Sequence, residues 1–265
     1  MRIAMGLSYN GQAYAGWQSQ PSGNTVQDKL ENALKRFTQT HIPTWCAGRT
    51  DAGVHALMQV VHFDTDLERT PYAWLSATNR YLPGDVAVQW ARVVPDDFHC
   101  RNSALSRRYV YVLLESPVRP SVERGRVGWV YRPLSLEAMQ AGAQHLLGEH
   151  DFTSFRATGC QALSPVKNMM RIDISRKSTQ ADSAVWRFEF EASAFLHHMI
   201  RNIMGCMIKV GTHHRPPEWM AEVLAARDRN AAAPTFSPDG LYFLGPRYDP
   251  KWDLPERTPA YDGLP

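Results

Sequence analysis

Apolar residues recur at helical spacing early in the chain and mark its first predicted helix, over residues 25–37. Thr25 and Asp28 stand three residues apart at its start, in the capping-box pattern. A second helix is predicted over residues 71–81. Segments that are rich in β-branched residues and partly alternating predict strands over residues 2–9, 58–65 and 86–94. The apolar positions of the first helix are Val26, Leu30, Leu34 and Phe37.

The same succession of patterns returns after residue 103. Its strands are predicted over residues 108–114, 170–176, 185–191 and 240–244, and its helices over residues 135–148, 195–211 and 217–227. The repeated order predicts an α+β protein with two lobes of ferredoxin-like character. We expect the lobes over residues 1–103 and 104–245. A proline-rich tail, residues 246–265, is expected to wrap the surface or to lie loose.

The bulk properties narrow the class of protein. A chain of 265 residues can bury a sizeable core. No apolar run is long enough to span a bilayer, and the N-terminus turns polar by Ser8, so neither a membrane span nor a secretory signal is expected. The cysteines are widely spaced, which predicts free thiols in a reducing cytoplasm. They are Cys46, Cys100, Cys160 and Cys206.

Two histidine pairs, at residues 197–198 and 213–214, are the most obvious candidates for metal ligands. Adjacent histidines on a helix point in different directions, and no His-Glu-x-x-His pattern accompanies them. We therefore expect packing and surface histidines, with no metal and no cofactor.

Positive charge is concentrated in one stretch. The whole chain carries only +3, whereas residues 101–132 hold seven arginines against two glutamates, or +5. Arginines between aromatic faces suit a phosphate backbone and unstacked bases, which favours nucleic acid. The alternative is a solvated strand face on which arginine stems pack against aromatics. The interleaved aromatics are Tyr109, Tyr111, Trp129 and Tyr131.

Residues 47–56 read Ala-Gly-Arg-Thr-Asp-Ala-Gly-Val-His-Ala and carry the strongest chemical signal. Asp51 stands beside Arg49 among small residues, in a segment too rich in glycine for a helix interior. Gly48 and Gly53 allow a nucleotide or another backbone to come close. The alternative is a surface turn in which Asp51 hydrogen-bonds its own backbone. Local chemistry alone leaves both interpretations open.

The nine residues from Gly48 to Ala56 resemble the catalytic motif of the tRNA pseudouridine synthases of the TruA type, at every position. Further blocks match in the family's order, over residues 13–20, 98–101, 107–111, 151–155 and 195–202. The similarity thus extends from Ile3 to about Gly245. Two residues depart from the family pattern: Asn10 stands where Asp is common, and Cys100 where Ala is frequent.

The resemblance implies a two-lobed α+β fold with the active site in a central cleft, and a homodimer. It also implies isomerisation of uridine to pseudouridine at positions 38, 39 and 40 of the tRNA anticodon stem-loop. Asp51 would be nucleophile or base, and Arg201 would pair with it. Arg49 would hold the flipped nucleotide, and Tyr109 would stack on the uracil. Expected substrate contacts, besides Tyr109, are Phe98, His99, Cys100, Arg101, Asn102, Arg107, Arg108 and Gln161.

A single carboxylate suits this reaction. Glycoside hydrolases usually need two, one of which protonates a poor leaving group. Uracil leaves as a delocalised anion and is kept, so one ionised carboxylate suffices as nucleophile or base. Two other functions are weighed against this one. A non-catalytic RNA-binding or chaperone protein could use the same lobes, and a metal-dependent hydrolase lacks ligand spacing.

Overall fold

The computed structural model describes residues 1–180 and 182–256. It divides the chain into two compact units. Among the described residues, the first is Met1–Arg107 with residues 242–256, and the second is Arg108–Leu241. Residues 242–245, which we expected in the second lobe, belong to the first unit because their strand pairs there in parallel with another strand, Tyr242 opposite His55.

The first unit is a mostly antiparallel sheet with two helices. In its sheet, β1 lies between β3 and β4, and β3 also pairs with β10. A short strand, β2, pairs with β3 outside this order. The elements are β1 (Arg2–Tyr9), α1 (Val26–Thr38), β2 (Trp45–Cys46), β3 (His55–Asp64), α2 (Pro71–Tyr81), β4 (Val86–Val94) and β10 (Leu241–Tyr248).

The second unit has the sheet order β5-β9-β8-β7, with β6 paired to β5, and three helices. Strand β5 spans the boundary between the units, since its first residues belong to the first. The elements are β5 (Ala104–Glu115), β6 (Gly128–Val130), α3 (Leu136–Gln144), β7 (Gly148–Asp151), β8 (Val166–Gln180), β9 (Ser183–Ala192), α4 (Met199–Gly211) and α5 (Trp219–Ala226). The predicted α+β class is confirmed.

Helix α1 begins as the capping pattern predicts. The Thr25 side chain accepts a hydrogen bond from the Asp28 backbone N–H, which satisfies one of the donors that a helix start leaves unpaired. Its apolar face meets the fully buried Trp74 of α2, whose ring lies edge-on to Phe37 at 5.3 Å and to Phe63 of β3 at 5.2 Å. The aromatic contacts therefore join both helices to one face of the first sheet.

The opposite face of that sheet is also covered. Ala4, Val60 and Trp90 belong to a buried cluster on which Trp252 and Leu254 pack. Because both faces are buried, β1 shows no polar–apolar alternation. The described part of the predicted tail thus continues β10 and then wraps the surface, while residues 257–265 of that tail lie outside the described residues.

Two predicted helices are wrong at one end. Helix α4 begins at Met199 rather than residue 195, because His198 adopts a left-handed backbone angle (φ 61°) that a right-handed helix cannot contain. Helix α3 ends at Gln144, four residues early, and Gly148 (φ 95°) then opens a strand. Side-chain periodicity carries no information on such backbone reversals.

The second unit has its core along β9, where every second residue is buried. This alternation is typical of a strand with one packed face. Within the described residues, no helix has the length and apolarity needed to cross a membrane. The buried side chains of β9 are Ala184, Trp186, Phe188, Phe190 and Ala192.

Candidate active site

Residues 47–54, called the aspartate loop below, connect β2 to β3 and are anchored where they leave the sheet. The Ala47 N–H donates to the Val60 carbonyl at 2.8 Å. The fully buried Gln59 holds Gly48 from both sides, because its amide nitrogen donates to the Gly48 carbonyl and its amide oxygen accepts from the Gly48 N–H. One buried side chain thus fixes the start of the loop.

The block at residues 13–20 packs against the aspartate loop. The Trp17 N–H donates to the Thr50 carbonyl at 3.0 Å, and the Gly53 N–H donates to the Tyr14 carbonyl at 3.3 Å. Gly16 lies between them at φ 92°, and a Cβ there would stand 2.7 Å from the Thr50 oxygen. Two motifs that are separated in sequence therefore form one backbone assembly that requires a glycine at this contact.

Thr50 is tied down through its side chain as well. Its hydroxyl and that of Tyr9 are 2.8 Å apart in a buried hydrogen bond. Burial raises the pKa of Tyr9 well above its ordinary value, which keeps the phenol neutral. The Tyr9 ring lies 6.0 Å from the ring of the buried Trp17. The hydroxyl of Thr50 is therefore bonded to a tyrosine that is itself packed in the core.

Asp51 follows this buried anchor and is half-buried, whereas Arg49 and Ala52 are exposed. The Val54 N–H donates to the Asp51 carbonyl at 3.1 Å, and Gly53 (φ 80°) completes the turn. The carboxylate thus stands on a connection whose backbone is held on both sides. Such fixed placement is what a nucleophile or a base needs.

The turn formed by residues 98–103 holds five of the predicted substrate contacts, and these five residues differ in how far they are exposed. Phe98 and Cys100 are 0 % exposed and lie in the buried cluster, so their side chains are not available to a substrate. Arg101 and Asn102 are exposed. His99 is half-buried, and its Nδ1 accepts from the backbone N–H groups of both exposed residues. It therefore shapes the turn that displays them.

Arg107 connects this turn with the aspartate loop. Its guanidinium donates to the carbonyls of Ala104 at 3.3 Å, of Ala47 at 3.5 Å, and of Arg101. Arg108, the next residue, is buried. We expected both arginines to contact substrate, but these bonds give Arg107 a role in organising the loop and the turn.

Three further predicted site residues lie, like Arg108, in the second unit. Tyr109 is 8 % exposed, and its ring lies edge-on to Phe195 at 5.1 Å. Arg201, in the first turn of α4, is half-buried and donates from Nε to the Phe236 carbonyl at 2.9 Å. The Phe236 N–H returns a bond to the Arg201 carbonyl at 3.1 Å. Gln161 is exposed on the connection between β7 and β8.

The aromatic residues of the arginine-rich stretch, residues 101–132, are partly buried in the core and partly exposed. Tyr111 is fully buried and donates to the Ser237 carbonyl at 2.8 Å, so it is a core residue. Trp129 and Tyr131 are exposed, and the Arg132 guanidinium lies 5.5 Å from the centre of the Tyr131 ring. Exposed aromatic and cationic groups therefore occur together only at the end of the stretch.

Sequence reasoning missed a cluster in the first unit. Donor atoms of His62, His99 and Cys100 all lie within 4.8 Å of one another. Burial, with the nearby His99 and Arg2, lowers the pKa of His62 to about 4, and burial raises that of the Cys100 thiol. No sequence spacing signals this cluster, because β3 and the distant turn supply its members. The four cysteines are free, as predicted.

The histidine pair at residues 197–198 also differs from expectation. We placed both residues on a helix with rings pointing apart, but they precede α4. Their ring centroids are 4.0 Å apart. His198 has a left-handed backbone angle (φ 61°), so the spacing of side chains along a helix does not apply to the pair.

Comparison with known proteins shows the family to which the chain belongs. A family model described as tRNA pseudouridine synthase matches residues 7–102 and 143–249. A protein named tRNA pseudouridine synthase A from Albidiferax ferrireducens is 67% identical over 265 residues, and one of that name from Polaromonas naphthalenivorans is 68% identical. Each comparison covers 100% of both chains. This chain belongs to the tRNA pseudouridine synthase family, which confirms the resemblance.

Gly16→Ala should disturb the aspartate loop, because the new Cβ would press on the Thr50 carbonyl. Gly23→Ala is the matched control, since Gly23 also has a left-handed angle (φ 64°) but nothing within 4 Å of a Cβ. The control should lose roughly 1–2 kcal/mol of unfolding free energy. Gly16→Ala should lose more in urea denaturation, and its Trp17 and Gly53 amides should exchange hydrogen faster. Equal effects of the two substitutions would contradict the proposed packing.

Proposed function

We propose that this chain isomerises uridine to pseudouridine in tRNA, at positions 38, 39 and 40 of the anticodon stem-loop, with Asp51 as its catalytic carboxylate. The observation that carries the proposal is the aspartate loop itself. Its backbone is fixed by Gln59 and by the block at residues 13–20 (the Gly16 block), and it presents a half-buried acid beside the exposed Arg49. Membership of the tRNA pseudouridine synthase family supplies the reaction class.

The reaction breaks the N1–C1′ bond, turns the base, and joins C5 to C1′. Asp51 acts either by attacking C1′ or by removing the C2′ proton, and uracil leaves as an anion whose charge spreads over its carbonyl oxygens. Because the base is retained, no water needs activation. The C5 proton then leaves and restores the aromatic-like uracil ring. No cofactor takes part in this sequence of steps.

Three other residues complete the proposed chemistry. Arg49, exposed on the aspartate loop, holds the target nucleotide out of the stem, which offsets a few kcal/mol of lost stacking and pairing. Tyr109 stacks on the uracil and assists loss of the C5 proton. Arg201 supplies positive charge that keeps the catalytic carboxylate ionised. These roles of Tyr109 and Arg201 rest on the resemblance.

The exposed side chains of Arg101, Asn102 and Gln161 are proposed to bind tRNA. The buried Phe98 and Cys100 support the first two from below, and Arg107 holds their turn to the aspartate loop. We further propose, on the resemblance, a cytoplasmic homodimer.

Asp51→Asn should lower pseudouridine formation by at least about a hundredfold, the lower end of what a positioned proton-transfer group contributes. Affinity for tRNA should stay within a few-fold, because a negative charge near phosphate does not favour binding. The measurements are tritium release from tRNA carrying 5-tritiated uridine and filter binding. Asp66→Asn, at an exposed acid outside the site, is the control. Near-normal release by Asp51→Asn would show that Asp51 is not the catalytic carboxylate. Tight tRNA binding by a wild type that releases no tritium would instead favour an RNA-binding protein.

Arg101→Ala should reduce the slope of log affinity against log salt concentration by about one unit, because one phosphate contact is lost. The side chain is exposed, so the unfolding free energy should change little. Arg107→Ala serves as the contrasting variant. It removes three bonds to carbonyls and should destabilise the protein. An unchanged salt slope would show that Arg101 does not face tRNA.

Tyr109→Phe and Tyr109→Leu should separate stacking from proton transfer. Phe keeps the ring that lies against Phe195, whereas Leu loses stacking worth about 1–3 kcal/mol. If the hydroxyl helps to remove the C5 proton, Phe should slow tritium release strongly and leave tRNA affinity unchanged. If stacking alone matters, only Leu should be slow. Near-normal release by Leu would remove Tyr109 from the reaction.

A further inference from the structure

We propose that the exposed indole ring of Trp45 is a platform on which one unstacked base of the bound tRNA lies. Trp45 belongs to β2, the short strand that leads into the aspartate loop. Its side chain is large and apolar, yet the residue is 45% exposed. The inference rests on tRNA as the substrate, and it adds a base contact to the tRNA contacts proposed for Arg101, Asn102 and Gln161.

The inner face of the indole rests on other rings. Trp45 lies directly opposite His62 of β3, and cross-strand neighbours of this kind bring their side chains together. The two ring centroids are 5.3 Å apart, and the ring planes are inclined by 22°. His62 is buried and meets Phe98 of the buried cluster edge-on at 6.2 Å. The indole is therefore supported from the core, and its outer face is turned to solvent.

The turn that displays Arg101 is joined to the same strand. The Cys100 thiol donates to the Trp45 carbonyl at 3.2 Å, and the Cys100 backbone N–H donates to Nδ1 of His62 at 3.4 Å. The ring of His99 lies 4.6 Å from that of His62, and its Nδ1 accepts from the Arg101 backbone N–H. These contacts hold the exposed Arg101 beside the indole.

Positive charge lies close to the indole. Burial raises the pKa of the Cys46 thiol to about 12, and the guanidinium groups of Arg49 and Arg101 oppose that rise. Both cations therefore lie near the residue that follows the indole. Glu31 approaches from the other end of the strand, but its side chain is 14% exposed and accepts from the backbone N–H and hydroxyl of Thr44. An aromatic face beside exposed arginines suits a nucleotide, whose base stacks while its phosphate meets a cation.

The size of the exposed ring selects the partner. A stable protein–protein interface buries on the order of 1,000 Å² or more, whereas one aromatic side chain buries about 150–250 Å². A single indole face is therefore too small to hold a protein, but it matches one nucleobase. Because every base has a π-face, such a contact tolerates any sequence and contributes affinity without selecting a base.

The test is equilibrium binding of unmodified tRNA to the full chain over a series of salt concentrations. Trp45→Leu removes the aromatic face and should weaken tRNA affinity about 5–150-fold, the equivalent of about 1–3 kcal/mol for one stacked base. The slope of log affinity against log salt concentration should stay at the wild-type value, because stacking releases no counterions. Trp45→Phe keeps an aromatic face, so its affinity should stay within a few-fold of wild type.

Tyr72→Leu is the matched control. Tyr72 is an aromatic residue of the same unit and is 76% exposed, but it lies on α2, which packs on the other face of the sheet. Its replacement should leave tRNA affinity unchanged. A second measurement does not depend on the Leu variant: tRNA should quench the tryptophan fluorescence of the wild type more than that of Trp45→Phe, which lacks only this indole.

A Trp45→Leu chain that binds tRNA as tightly as wild type would overturn the proposal. So would a Trp45→Phe chain that loses as much affinity as Trp45→Leu, or equal quenching of the wild type and Trp45→Phe. These outcomes are separate from those of the reaction. A wild type that binds tRNA without releasing tritium would remove the proposed isomerase, whereas normal release with unchanged binding by Trp45→Leu would remove only the platform.

Discussion

The contact between the Gly16 block and the aspartate loop is the constraint on which the rest of the site depends. Two backbones approach so closely at Gly16 that a Cβ would stand 2.7 Å from the Thr50 carbonyl. The same approach lets the Trp17 N–H reach that carbonyl. Asp51 is the next residue, and backbone bonds on both sides of it fix the loop that carries it. A fixed carboxylate loses little entropy when it meets substrate.

The positions of several longer elements followed from periodicity and caps, whereas the short strands β2, β6 and β7 were not predicted. Helix α2 and strands β1 and β4 occupy the predicted ranges because their patterns are complete within each segment. The ends of α3 and α4 were not predictable in this way. They depend on backbone reversals at Gly148 and His198, and a left-handed histidine leaves no mark in hydrophobic spacing.

The sequence identified some residues of the candidate site correctly, but it did not show which of the others are buried. The motif pointed to Asp51 because its chemistry and its glycines are contiguous. A contiguous block also suggested that Phe98 through Asn102 would all meet substrate, but this turn buries Phe98 and Cys100 and exposes Arg101 and Asn102. Phe98 and Cys100 therefore support the surface that Arg101 and Asn102 form. Neither burial nor the convergence with His62 can be derived from local sequence.

Arg107 shows that an arginine of a tRNA-modifying family can stabilise the protein's own backbone. A guanidinium offers five donors in a fixed plane, so it can join several carbonyls that no regular element pairs. Here it joins those of Ala47, Arg101 and Ala104, and thereby the start of the aspartate loop to the exposed turn. The concentration of arginines in residues 101–132 is thus partly structural. The phosphate contact proposed for Arg101 would come from an exposed side chain whose backbone carbonyl accepts a hydrogen bond from Arg107.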